Sequence, residues 1–132
     1  MNAIDNLIEK IKQTNNPTVI GLDPRYEMLP KCVTSKYSRD LEGVKKAIIE
    51  FNKKLIDNTC DIIPVAKVQI AFYEMYGISG MEAFKETCQY AKEKGMLVIA
   101  DIKRGDIGST ATRLFKCVFR KNINWRKKRC NL

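Results

Sequence analysis

Met96-Leu97-Val98-Ile99-Ala100-Asp101-Ile102-Lys103-Arg104-Gly105-Asp106-Ile107-Gly108-Ser109-Thr110 is an apolar run that ends in charge. Its five leading apolar residues read as a buried strand. Strand side chains alternate faces, so the spacing predicts that Asp101 and Lys103 project side by side, with Ile102 opposite. Gly105 lets the chain turn, which brings Asp106 back toward the same pocket. Two acids and a lysine at the carboxyl end of a buried strand are costly unless paired. Such a cluster is either a site or an ordinary strand end with solvated charges, because paired charges also build structural networks.

Upstream, the same grammar recurs twice. Asn2 to Gln13 reads as a helix with Ile4, Leu7, Ile8 and Ile11 on one face, ended by Asn15-Asn16-Pro17. Thr18 to Asp23 is a short β-branched strand closed by Pro24. Arg25 to Tyr37 reads as loop. Leu41, Val44, Ile48, Phe51, Leu55 and Ile56 mark a long amphipathic helix, with Ser38 or Asp40 as its cap. Ile62 to Ile70 is the second strand. Within it Lys67 sits among Val65, Ala66 and Val68, where a lysine needs a partner unless it snorkels to the surface. Ser79-Gly80-Met81-Glu82 has the form of a capping box ahead of a helix whose apolar face is Ala83, Phe84, Thr87, Cys88 and Ala91. Gly95 is placed to end that helix.

Strands alternating with helices of this length predict an α/β protein with a parallel sheet. The candidate residues Asp23, Lys67, Asp101 and Lys103 fall in or at the end of the three strands, and α/β barrels place their chemistry at strand carboxyl ends. Taken alone, Asp23 followed by Pro24 reads better as a simple turn than as a site.

Asp101-x-Lys103-x-x-Asp106 resembles the active-site motif of the orotidine 5'-phosphate decarboxylases, and Asp101 to Ala111 is similar to the form found in one bacterial branch. Gly21-Leu22-Asp23-Pro24-Arg25 resembles the end of that family's first barrel strand, and Lys67 to Glu74 the end of its second. The resemblance covers about residues 1–111. It implies the N-terminal part, about three βα units, of a (β/α)8 barrel, whereas a whole barrel takes roughly 250 residues. It also implies decarboxylation of orotidine 5'-monophosphate to uridine 5'-monophosphate in pyrimidine synthesis, by a cytoplasmic homodimer with no cofactor and no metal. Lys103, Asp101, Asp106 and Lys67 would be the catalytic residues. Asp23, Lys67, Ile107 and Thr110 would line the substrate, and Asp106 would reach the partner subunit's site. A metal-dependent phosphosugar decarboxylase of the same superfamily shares the Asp-x-Lys-x-x-Asp motif and is the nearest rival. The sequel Arg104 to Thr110 and the Gln69 to Glu74 string argue against it.

Composition bounds the rest. The chain has 132 residues, of which 45% are hydrophobic and 30% charged, as suits one small globular unit. It contains no apolar run near the roughly 20 residues of a membrane span, and its start lacks the pattern of a signal peptide. Five scattered cysteines without a C-x-x-C pair, and no histidine, point to reduced thiols and away from zinc. Of the net charge of +9, all but one unit comes from residues 112–132, which hold eight bases and no acid; elsewhere 16 bases face 15 acids. This segment shows neither helix period nor strand alternation. A small basic nucleic-acid binder is one alternative, with Phe115, Phe119 and Trp125 as stacking residues. An out-of-frame tail accounts for it better. With one choice of codons, Arg113 onward re-reads one nucleotide later as GYSNAFLEKTLIGE, which has acids and a helical mix.

Overall fold

Asn2 caps the first helix, α1 (Ala3–Thr14), through a reciprocal box: its side chain accepts from the Asp5 amide, and Asp5 accepts from the Asn2 amide. The helix stops at Asn15, which takes a left-handed φ of 47°. The structure, a computed structural model, describes residues 2–105 and 107–119 and divides between Ile102 and Lys103 into two units.

In the first unit, β1 (Val19–Leu22), β2 (Val65–Gln69) and β3 (Leu97–Asp101) form a parallel sheet in the order β1-β2-β3. Val19, Val65 and Leu97 lie abreast, and so do Gly21, Lys67 and Ile99. The connections carry α2 (Lys31–Thr34) and α3 (Leu41–Asp57), then α4 (Ala71–Glu74) and α5 (Gly77–Glu93). Leu22, Ala66 and Val68 are buried in one core with Ala47, Ile48, Ile56, Ala83, Phe84 and Ala91 of α3 and α5. The other face of the sheet is more open, with Val19 and Ile99 at 45% and 46% exposure.

Several local expectations hold. Asp40 caps α3 by accepting from the Gly43 amide at 2.7 Å, and Ser38 donates to the same oxygen at 2.8 Å. The backbone hydrogen bond from Gly43 holds the Asp40 carboxyl below the usual range. Gly95 follows α5 with φ +82°, a conformation that favours glycine.

Others do not. The stretch from Arg25 to Tyr37 is not all loop: Tyr26–Met28 forms a 3-10 turn and α2 follows it, anchored by buried Leu29 and Val33. Ser79 does not cap α5, which starts two residues earlier at Gly77, where φ is +59°. Close packing decides that start, since a Cβ on Gly80 would overlap the Tyr73 carbonyl oxygen. In α1 no residue is buried, and Ile4 is 67% exposed; the apolar face exists but is not covered within this unit. The third strand ends at Asp101, and Lys103 takes a left-handed φ of 46°, so strand alternation does not carry from Asp101 to Lys103. In the second unit α6 (Gly108–Phe119) is helical through residues 112–119, against the reading of that stretch as non-periodic. Ala111, Leu114, Phe115 and Val118 have the spacing of one helix face, which the many bases obscure.

One buried polar chain ties four elements together. Asn52 of α3, 1% exposed, donates to the Tyr73 hydroxyl at 2.9 Å and to the Thr87 hydroxyl at 3.0 Å. Tyr73 in α4 donates to the Leu22 carbonyl of β1 at 2.9 Å, and burial pushes its hydroxyl pKa up. Tyr73→Phe strands the Leu22 carbonyl, and a buried polar group left without its partner costs about 1–3 kcal/mol. Urea unfolding of the variant should show a loss of that size.

On the surface, Glu50 accepts from Lys36 at 2.6 Å and Tyr37 at 2.8 Å and pairs with Lys54 at 2.7 Å. These bonds, that of Lys36 foremost, hold its carboxyl down from 4.5 to about 2. A depressed carboxylate stabilises the fold above its unfolded value and loses that contribution as pH falls through the folded one. Glu50→Gln should therefore flatten the decline in stability between about pH 4.5 and 2, read from denaturant titrations across that window.

Candidate active site

The parallel register sets three side chains at one end of the sheet. Asp23 follows β1 directly and is held there by Pro24, which is buried. Lys67 lies in the middle strand beside Gly21, so no β1 side chain stands beside it at that register position. Gln69, two residues on and on the same face, is the register partner of Asp101. The Ile70 amide donates to the Asp101 carbonyl at 3.2 Å and continues the ladder past the strand end.

The Lys67 ammonium stands between two carboxylates, with Nζ 3.6 Å from Asp23 Oδ2 and 3.9 Å from Asp101 Oδ2. Both distances exceed a good hydrogen bond, so the attraction is chiefly coulombic. The Lys67 and Asp23 side chains are each 36% exposed and that of Asp101 is 25% exposed. This settles how Lys67 sits in a strand with apolar neighbours. Ala66 and Val68 point into the helical core, while Lys67 points to the open face and meets two acids. The expectation that it needs partners holds.

Gln69 was not singled out from the sequence. Its Nε2 donates to Asp101 Oδ2 at 2.9 Å, shorter than either lysine contact. Its spacing of two from Lys67 on one strand was the available signal. Nearby, the Tyr26 amide donates to the Tyr76 hydroxyl at 3.3 Å, and the Arg25 guanidinium lies over the Phe72 ring at 5.4 Å. These contacts pin the segments that follow β1 and β2 to each other.

Of the predicted site residues, the first unit brings together Asp23, Lys67 and Asp101. Lys103 is the first residue of the second unit and is exposed, as are Ile107 and Thr110, the latter in the first turn of α6. Asp106 lies outside the described residues. Among the described residues no three His, Cys, Asp or Glu side chains converge as metal ligands, and no helix is long and apolar enough to cross a membrane. Chemically, an acid–base–acid row at strand ends can grip hydroxyl groups through its oxygens and its ammonium together. At one end of that row the Gln69 amide donates to Asp101.

Comparison with known proteins gives the family and the fold. The orotidine 5'-phosphate decarboxylase from Clostridium perfringens is 43% identical over 115 residues, covering 87% of this chain and 38% of the relative. That from Petrotoga mobilis is 40% identical over 116 residues, covering 88% and 38%. Among solved structures, Leishmania donovani OMP decarboxylase superposes with a TM-score of 0.68 at 29% identity, over 91% of this chain and 40% of that one. Leishmania donovani UMP synthase gives 0.68 and 29% over 91% of this chain and 23% of that one. The chain thus spans about 38% of the length of the curated relatives it matches, and its fold is the N-terminal portion of their (β/α)8 barrel. The model of one family covers residues 16–126, and the chain belongs to it: the orotidine 5'-phosphate decarboxylase / HUMPS family.

Proposed function

We propose that the barrel to which this segment belongs converts orotidine 5'-monophosphate to uridine 5'-monophosphate. The observation that carries the reading is the Lys67 ammonium held between Asp23 and Asp101 at the strand ends. Relatives about 40% identical that bear the decarboxylase name support it.

Loss of carbon dioxide leaves a carbanion on the pyrimidine ring that no adjacent carbonyl delocalises. Its stabilisation is then a task for placed charges, which act most strongly where water is excluded. In this reading Lys103 is the cation that stabilises the carbanion and protonates the carbon. Asp101 sits beside the departing carboxylate. Asp23 and Lys67 hold the ribose hydroxyls, and Lys67 also steadies Asp101. Ile107 and Thr110 lie near the substrate. Asp106 completes the charge row from the partner subunit of a homodimer. The reaction uses no cofactor and no metal, and the enzyme works in the cytoplasm. The basic stretch 112–132, read as out of frame, takes no part.

The test is a hybrid in which residues 1–111 are joined to the later strands of the Clostridium perfringens relative. It should decarboxylate orotidine 5'-monophosphate, and chelation of magnesium should leave the rate unchanged; a rate abolished by chelation would favour the metal-dependent phosphosugar decarboxylases instead. Lys103→Ala should lower kcat by about 10²–10³-fold or more, the scale for removing one preorganised group. Parental turnover in that variant would remove Lys103 from the mechanism.

The shared site has its own check. Lys103→Ala and Asp106→Ala hybrids, each inactive alone, should regain part of the activity when mixed, because one of the two sites in a mixed dimer keeps both residues. Absence of recovery after demonstrated subunit exchange would place Asp106 within its own subunit's site.

A further inference from the structure

We propose that Gln69 is a positioning residue, whose side-chain amide fixes the direction of the Asp101 carboxylate and favours its ionised form. The inference deepens the decarboxylase reading and rests on it for the use to which Asp101 is put.

The geometry is specific about which end of the amide does this. An ionised carboxylate only accepts hydrogen bonds, so Gln69 must turn Nε2 toward it, and Nε2 lies 2.9 Å from Asp101 Oδ2. That choice commits Gln69 Oε1 to the other side, where it is buried and has no hydrogen-bond partner among the described residues. A carbonyl oxygen buried without a donor is unfavourable. Were Asp101 protonated, the amide could flip and Oε1 could accept from the acid. The orientation in place, with Nε2 donating and Oε1 unpaired, is the one an ionised carboxylate requires.

In the first unit Lys67 on β2 faces Asp101 at 3.9 Å, and beyond it Asp23 at the end of β1 lies 3.6 Å from the same ammonium. Lys67 thus divides its charge between two acids and sits too far from each to set an angle. The amide stands within hydrogen-bond length of the Asp101 carboxylate, at 2.9 Å, where the Lys67 ammonium does not. Register makes it rigid, since Gln69 and Asp101 are Cα partners across β2 and β3 and the Ile70 amide binds the Asp101 carbonyl next to them. In sequence, Lys103 and Asp106 follow Asp101, and Lys103 opens the second unit.

The test is a titration of the Asp101 carboxyl carbon by ¹³C NMR in the 132-residue chain, for the parent, Gln69→Met and Gln69→Glu, with far-ultraviolet circular dichroism to establish that each is folded. A hydrogen bond to the charged form favours ionisation, so its loss in Gln69→Met should move the midpoint to higher pH. Gln69→Glu keeps the size and sets one carboxyl against another, which should move it higher still, and it serves as the measurement if Gln69→Met does not fold. Midpoints unchanged in the folded variants overturn the proposal. In the active hybrid, Gln69→Met should lower kcat by about tenfold to a hundredfold, the scale of a misplaced group. The acid limb of its pH profile should move in the same direction as the midpoint. Because the titration needs no substrate, a shifted midpoint in a hybrid without turnover keeps the positioning and sinks the decarboxylase reading. Turnover with an unmoved midpoint and an unmoved acid limb does the reverse.

Discussion

A lysine ammonium shared by two carboxylates, on three strands locked in parallel register, is the constraint around which this segment is arranged. Asp23 and Asp101 would repel each other across the end of β2 without Lys67 between them. Parallel pairing puts the carboxyl ends of all three strands on one side, so a residue at each end meets its neighbours without any long loop. The helices supply what the sheet needs in return. By packing on one face only, α3 and α5 bury Leu22, Ala66 and Val68 and leave Lys67, Gln69 and Asp101 to point the other way.

The core supports the site through polar contacts as well as apolar ones. Tyr73 reaches from α4 to the carbonyl of Leu22, the last residue of β1 and the one before Asp23. Asn52 of α3 donates to that hydroxyl and is itself tied to Thr87 of α5. A chain of buried hydrogen bonds is directional where hydrophobic burial is not. It therefore sets where β1 stops, and with it where the Asp23 carboxylate stands relative to Lys67. The edge-on Tyr73 and Phe84 rings, 5.5 Å apart, fix Tyr73 from the apolar side.

What could be read from the chain follows from which forces are local. The α3 cap at Asp40 and the end of α5 at Gly95 rest on backbone geometry within a few residues, and both were legible. The three strands were legible in order because apolar runs bounded by turns have few other uses. Boundaries set by contact were not. Ser79 carries the letters of a cap, yet α5 begins earlier because Gly80 must pass close to the Tyr73 carbonyl, a contact no local pattern records. Strand alternation was extended past its range at Lys103, where a left-handed φ breaks the period. The helical spacing in 111–118 was hidden by interleaved bases, which mask a face without abolishing it.

The site divides along the same line. Lys67 and Asp101 are charged residues in apolar settings, where the cost of burial marks them out, while Asp23 before Pro24 reads alone as a turn and gains meaning from its place at a strand end. Gln69 carries no charge, and a glutamine in a strand is unremarkable by type. Its meaning comes from register, which pairs it with Asp101 across two strands separated by a helix of seventeen residues. Register is a property of the assembled sheet: a slip of one residue would turn Gln69 into the core and leave Asp101 to a lysine that already serves Asp23. The residue hardest to find from the chain is thus the one that depends most on the fold being right.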